Sequence, residues 1–197
     1  MKCRIAAIAA LLVSPASATA DPLSDLLAKG NGSACFERVY DDAHLAENPK
    51  QKTLTALLSL KTLPPEHGDG AVLRLRFERK DGDLYVVGSC TWAAKANLDT
   101  QGDKMIPAFK GPSGLDCHAL TTADGSSAEE GGDFPIDLRD GSASTVYLPE
   151  SLAAWRSIER AEPADWIDFG RDDNVFRLYR TGPGACRGLS DALPWLE

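Results

Sequence analysis

Residues 71–90 read Ala71-Val72-Leu73-Arg74-Leu75-Arg76-Phe77-Glu78-Arg79-Lys80-Asp81-Gly82-Asp83-Leu84-Tyr85-Val86-Val87-Gly88-Ser89-Cys90. From Ala71 to Arg79 apolar and charged side chains alternate. Leu73, Leu75 and Phe77 fall on one side, and Arg74, Arg76 and Glu78 on the other. A period of two is the repeat of a strand with one face buried and one in water. Lys80-Asp81-Gly82 is a turn signal, and Gly82 to Cys90 resumes as a second strand, so the stretch predicts a β-hairpin.

The same period recurs on both sides of this hairpin. Lys52 to Lys61 places Leu54, Ala56, Leu58 and Leu60 on one face. Phe134, Ile136 and Leu138 alternate with Asp133, Pro135 and Asp137, and Ser144–Leu148 and Val175–Arg180 continue the pattern. Alternation of this kind belongs to antiparallel sheet. Roughly seven to nine strands in one unit predict a mainly β fold, a single antiparallel β-barrel, with a sandwich as the alternative. Short helices are expected in addition. Asp21 caps a segment that runs from Pro22 to Lys29, with Leu23, Leu26 and Leu27 on one face and Gly30 as the stop. Residues 41–46 predict one further turn before Pro49. Glu150–Arg160 predicts a helix that packs Leu152, Trp155 and Ile158 on the sheet. The pattern fades into a long polar loop between Trp92 and Gly114, and Thr121–Gly132, rich in Gly, Ser and acids, reads as a second, mobile loop.

The N-terminus carries an export signature. Lys2 and Arg4 form a positive start, Ile5–Val13 an apolar stretch, and Ala18-Thr19-Ala20 a small-residue cleavage site. The apolar stretch is shorter than the ~20 residues that a membrane span requires. The expected organisation is therefore a signal peptide over 1–20 and a single β-rich domain over 21–197, periplasmic or secreted, with no membrane insertion. Loss of residues 1–20 removes Lys2 and Arg4 and no acid, so the formal net charge moves from −8 to −10. Such a balance argues against nucleic acid and anionic lipid surfaces as partners, since both require clustered positive charge.

Cys35, Cys90, Cys117 and Cys186 remain after that cleavage. Four cysteines in an exported chain point to two disulfides, with three connectivities open. Cys35 and Cys186 lie near the two ends of the domain and Cys90 and Cys117 at strand edges within it, so Cys35–Cys186 and Cys90–Cys117 is the expected pairing. Zinc and redox sites fit poorly, because no C-x-x-C occurs and Cys117-His118 places neighbours on opposite strand faces.

The common catalytic signatures are missing: no G-x-S-x-G, H-E-x-x-H, Walker loop or G-x-G-x-x-G is present. Asp168-Phe169-Gly170 lacks every other kinase element. His44, His67 and His118 are the histidines, and sequence supplies none of them with a matched nucleophile and orienting acid. Asp99-Thr100-Gln101-Gly102-Asp103 resembles part of a calcium loop without its full register, and Asp168, Asp172, Asp173 and Asn174 form a second acidic group. Solvated loops explain both, and no metal or cofactor is expected. Trp92 and Trp195 stand in polar or terminal settings that predict exposure.

The stretch Cys35-Phe36-Glu37-Arg38-Val39-Tyr40-Asp41-Asp42-Ala43-His44-Leu45, continuing to Asn48-Pro49-Lys50-Gln51, resembles the opening of a family of small secreted or periplasmic proteins of alpha-proteobacteria. The resemblance implies an exported, disulfide-bearing β domain and adds no activity. Tyr85–Cys90 is similar to a strand of the small-barrel periplasmic lysozyme inhibitors that ends in a bridged cysteine, which implies an inhibitor-like role from architecture alone.

The leading expectation is a noncatalytic binding or interaction protein, inhibitor-like or envelope-associated, and monomeric. Its protein or small-molecule partner would meet the 92–114 loop and adjacent strand faces, with Trp92, Asp99, Asp103 and His44 as candidate binding residues. The alternatives are a small-ligand carrier with a hollow barrel and a hydrolase built on His44 or His118.

Overall fold

The computed structural model describes residues 21–94, 109, 113–122, 130–138, 141–157 and 163–191. In chain order the strands are β1 (Ser33–Val39), β2 (Thr53–Thr62), β3 (Ala71–Arg79), β4 (Leu84–Ala94), β5 (Ser113–Leu120), β6 (Glu130–Asp137), β7 (Ala143–Tyr147), β8 (Ser151–Ala154), β9 (Asp165–Asp168) and β10 (Val175–Thr181). Among the described residues three short α-helices accompany them: α1 (Pro22–Lys29), α2 (Asp42–Glu47) and α3 (Arg187–Asp191).

β1 to β7 pair antiparallel in sequence order, and β10 joins β7 to β1, closing an eight-stranded barrel. Closure rather than a sandwich follows from one register: Cys35 lies opposite Thr181, Phe36 opposite Arg180 and Glu37 opposite Tyr179. No strand of this ring keeps an open edge, which removes the edge-pairing hazard of a β protein. The hairpin of residues 71–90 forms as its alternation predicts, with Phe77 opposite Leu84 and Ala71 opposite Cys90.

The period-two faces sort as a filled barrel. Phe36, Leu58, Leu73, Leu75, Phe134, Ile136 and Leu178 meet inside and are almost wholly buried. Outward positions include Glu37, Arg76, His118 and Arg177. An apolar interior with a charged exterior is the reverse of a barrel that faces lipid. No helix among the described residues is long and apolar enough to cross a membrane.

Both disulfides take the expected pairing. Cys90 and Cys117 sit directly opposite each other on β4 and β5, with Cα atoms 4.1 Å apart. Cys35 on β1 is bonded to Cys186, which leads into α3, so this bridge and Leu189 cover Leu57 on the outer wall. In the chain-entropy account, closed loops of 27 and 151 residues stabilise by about 3.5 and about 5 kcal/mol. Two such bonds fit an oxidising compartment. The proposed signal peptide lies outside the described residues.

Two expectations need correction. The described part of Glu150–Arg160 is not helical: Ser151–Ala154 is strand β8, paired with β9, and Trp155 bridges to Tyr85. Leu152 and Ala154 enter the core, while Ala153 and Trp155 are buried on the other side. A strand covered on both faces shows a continuous apolar run and loses its period-two signature. The Thr121–Gly132 loop is also shorter than expected, because β6 begins at Glu130 and takes in Gly131 and Gly132. A side chain at Gly131 would stand 2.7 Å from the Ala153 Cβ, so glycine there lets β8 cross against the barrel.

Strand directions define two ends. The starts of β2, β4, β6 and β10 lie at one end with β8 and β9, here termed the floor. The starts of β1, β3, β5 and β7 lie at the other, the mouth, with α1. At the floor, the Phe77 ring meets Phe169 and Phe176 at 5.3 and 4.8 Å. Asp173, 2 % exposed, accepts the backbone N–H groups of Lys52 and Thr53 at 2.8 and 3.1 Å and so anchors the entry to β2.

Candidate functional site

The mouth is built by α1 and by strand ends. Asp21 accepts a hydrogen bond from Ser24 N at 2.8 Å, Pro22 begins the helix, and Gly30 ends it. Leu23, Leu26 and Leu27 seat the helix on the barrel opening. Beside the helix lies a cleft of about 580 Å³ bounded by Asp25, Leu26 and Lys29 of α1, by Trp92 of β4, and by Asp137, Leu138 and Arg180. The volume falls in the range of small-molecule sites.

Trp92 is not the exposed residue that its sequence setting predicts. It shares the inward side of β4 with Val86 and Cys90, lies opposite Leu115, and packs half-buried on the core at the mouth. Its neighbours Thr91 and Ala93 face outward, so their character says nothing of its own surroundings.

Arg180 occupies the corresponding inward position on β10, after Phe176 and Leu178. Its guanidinium lies 5.4 Å from the centroid of the Phe36 ring. Nη1 is buried and has no hydrogen-bond partner among the described residues. Burial depresses its pKa below the ordinary guanidinium value. Gly30 makes this placement feasible: a Cβ there would stand 1.9 Å from the Ser33 carbonyl oxygen and 3.0 Å from Arg180 Nη2. Of the two acids in the cleft wall, Asp25 lies one helical turn before Lys29 and is exposed, and Asp137 is buried with an interaction of its own. Arg180 was not singled out by the sequence reading, although the β10 alternation places it inward.

The other candidate binding residues do not join Trp92. His44 lies on α2 at the floor end, stacked on Tyr40 with ring centroids 4.7 Å apart and 2.9 Å from Gln51 through Nε2. Asp99 and Asp103 fall outside the described residues. In the second acidic group, Asp173 is occupied by the two N–H groups of β2, and Asp168 accepts from Gly170 N at 2.7 Å. These carboxylates therefore serve the local fold.

His118 stands on the outer wall of β5. Its Nδ1 bonds to Asp133 directly across on β6, and its Nε2 lies 3.9 Å from Asp116. Ser89 is the cross-strand neighbour on β4. The arrangement has the residue types of a hydrolytic triad but not the contacts. The ring nitrogen that would serve as base faces a carboxylate, and no hydrogen bond joins Ser89 to His118 among the described residues.

No protein-family model, curated protein or solved structure matches the chain, so its function is argued from this geometry.

Proposed function

We propose that this chain is a noncatalytic binding protein of the periplasm and that its ligand sits in the mouth cleft, outside the barrel interior. The carrying observation is the contrast between a barrel interior filled by its own side chains and a cleft at its mouth where Trp92, Leu138, Lys29 and Arg180 converge. Apolar walls with a few directed polar groups are the composition of a binding site. The disulfides and the N-terminal signal support the compartment, and the filled interior works against a hollow carrier.

Native mass spectrometry of the protein purified from periplasm tests this reading, with a second measurement after denaturation without reductant. The expected result is a small molecule that travels with the native protein and is lost in Trp92→Leu. Retention of the same molecule by Trp92→Leu would place it elsewhere, and robust turnover of a defined substrate would overturn the noncatalytic role.

A second reading, a protein partner, is favoured by the outer wall of β1 and β10. Val39, Val175 and Tyr179 are exposed there, and Tyr179 has Arg38 and Arg177 at 5.5 and 5.6 Å from its ring. Tyrosine and arginine are enriched in the energetic centres of protein interfaces.

A further inference from the structure

We infer that the mouth cleft is specific for an amphipathic anion, an apolar body that ends in a single carboxylate or phosphate, with Arg180 as the residue that selects the acidic end. The inference rests on the mouth-binding reading above and names its ligand class.

Three observations converge on Arg180. Its Nη1 is buried without an acceptor among the described residues, and the half-exposed side chain itself lines the cleft. A buried donor left unmade costs more than an ordinary hydrogen bond returns, and a charged one costs most. Its recorded protein contact is the face of Phe36 at 5.4 Å, a weaker partner than a carboxylate. Finally, it forms part of a wall whose other members include Trp92, Leu26 and Leu138, which offer an apolar body a surface. A guanidinium fork matches a carboxylate or phosphate through paired N–H donors.

The two acids in the wall do not reverse this polarity. Asp137 has its own interaction, and Asp25 is exposed near Lys29 on the same helix. Lys29 adds a second cation at the rim. An otherwise acidic chain thus presents the half-buried Arg180 guanidinium in the wall of the mouth cleft, a placement suited to selecting anions by differential affinity.

Titrations of the purified full-length mature protein with decanoate, decyl phosphate, decanol and decyltrimethylammonium, each below its micelle concentration and followed by tryptophan fluorescence, test the inference. Decanoate or decyl phosphate should bind about tenfold or more tightly than decanol, the scale of one charge-assisted hydrogen bond. The tighter of the two anions names the head group. Arg180→Met should erase the preference for the anion while leaving decanol binding in place. It should also raise the melting temperature, since it replaces a desolvated charge by an apolar chain. Arg180→Lys, which keeps the charge without the fork, should retain the preference at reduced affinity. Equal binding of decanol and both anions, with a response that Trp92→Leu abolishes, would overturn the anion inference and leave the mouth site standing. Decanoate binding that survives Arg180→Met unchanged would do the same. A response to none of the four amphiphiles, or one indifferent to Trp92→Leu, would overturn both.

Discussion

At the floor of the barrel, Phe77 meets Phe169 and Phe176, and Asp173 meets two backbone N–H groups. At the mouth, α1 packs on the opening, Trp92 remains half-buried, and Arg180 keeps a donor without an acceptor among the described residues. The same eight strands thus end in two kinds of construction. One end is closed by packed rings and by a carboxylate bound to the backbone, although Thr53 Oγ1 and Arg79 Nη1 there lack a partner among the described residues. The other leaves an apolar wall and a cation with their potential unmet, which a ligand can complete. A binding site is expected at the end that opens a cleft, and stability at the end closed by packed rings.

The sharpest challenge to this division is Phe77→Ala. Loss of a ring at the centre of the floor cluster should cost about 3–5 kcal/mol, measured by urea denaturation. A cost near zero would mean that the floor contributes no closure.

A smaller effect concerns Tyr40, which packs on the core near the floor and donates its backbone N–H to Leu54 O. Burial is the largest cause that pushes its pKa up to about 12, whereas an unfolded tyrosine releases its proton near pH ~10. The folded state therefore holds more proton across that interval, and stability falls as pH rises. The contribution is fully present below about pH 10 and is lost as pH rises through about 12. Denaturation midpoints across this window should decline less steeply in Tyr40→Phe than in the parent. Equal slopes would remove Tyr40 from the account.

The smallest stability effect is expected at the mouth. Trp92→Leu should change unfolding free energy by about 1 kcal/mol or less, because a half-buried ring is exchanged for an apolar side chain. A loss comparable with that of Phe77→Ala would make Trp92 a structural plug and erase the contrast between the two ends.

What the sequence made legible follows from which strands have one wet face. β3 and β4 were readable because Arg74, Arg76 and Glu78 alternate with Leu73, Leu75 and Phe77, and the turn between them is marked by Asp81-Gly82. The disulfide pairing was readable from position, two cysteines at the domain ends and two within. β8 was not readable, since Leu152-Ala153-Ala154-Trp155 is covered on both sides and a buried strand is easily mistaken for a buried helix. β6 starts before its alternation does, because Gly131 and Gly132 near its beginning suit the approach of β8 rather than strand propensity. The site was half-legible. Trp92 sits in a polar stretch of sequence that hides its inward position, His44 belongs to the other end, and in sequence Arg180 is one more charge in a charged strand. Only its parity with Phe176 and Leu178 distinguishes it from Arg177.

The Cys35–Cys186 bond has one more consequence. It joins the first strand of the ring to the segment beyond the last, and so converts residues 35–186 into a covalent hoop. A protease that cuts once anywhere within the hoop linearises it without releasing a fragment. A cut between Cys90 and Cys117 is spanned a second time by the bond between them. Severed strands then remain at high effective concentration with their neighbours, held as covalently tethered halves of one ring. In an oxidising compartment that keeps both bonds, a single scission becomes a gap in the contour of the chain and not the loss of a fragment.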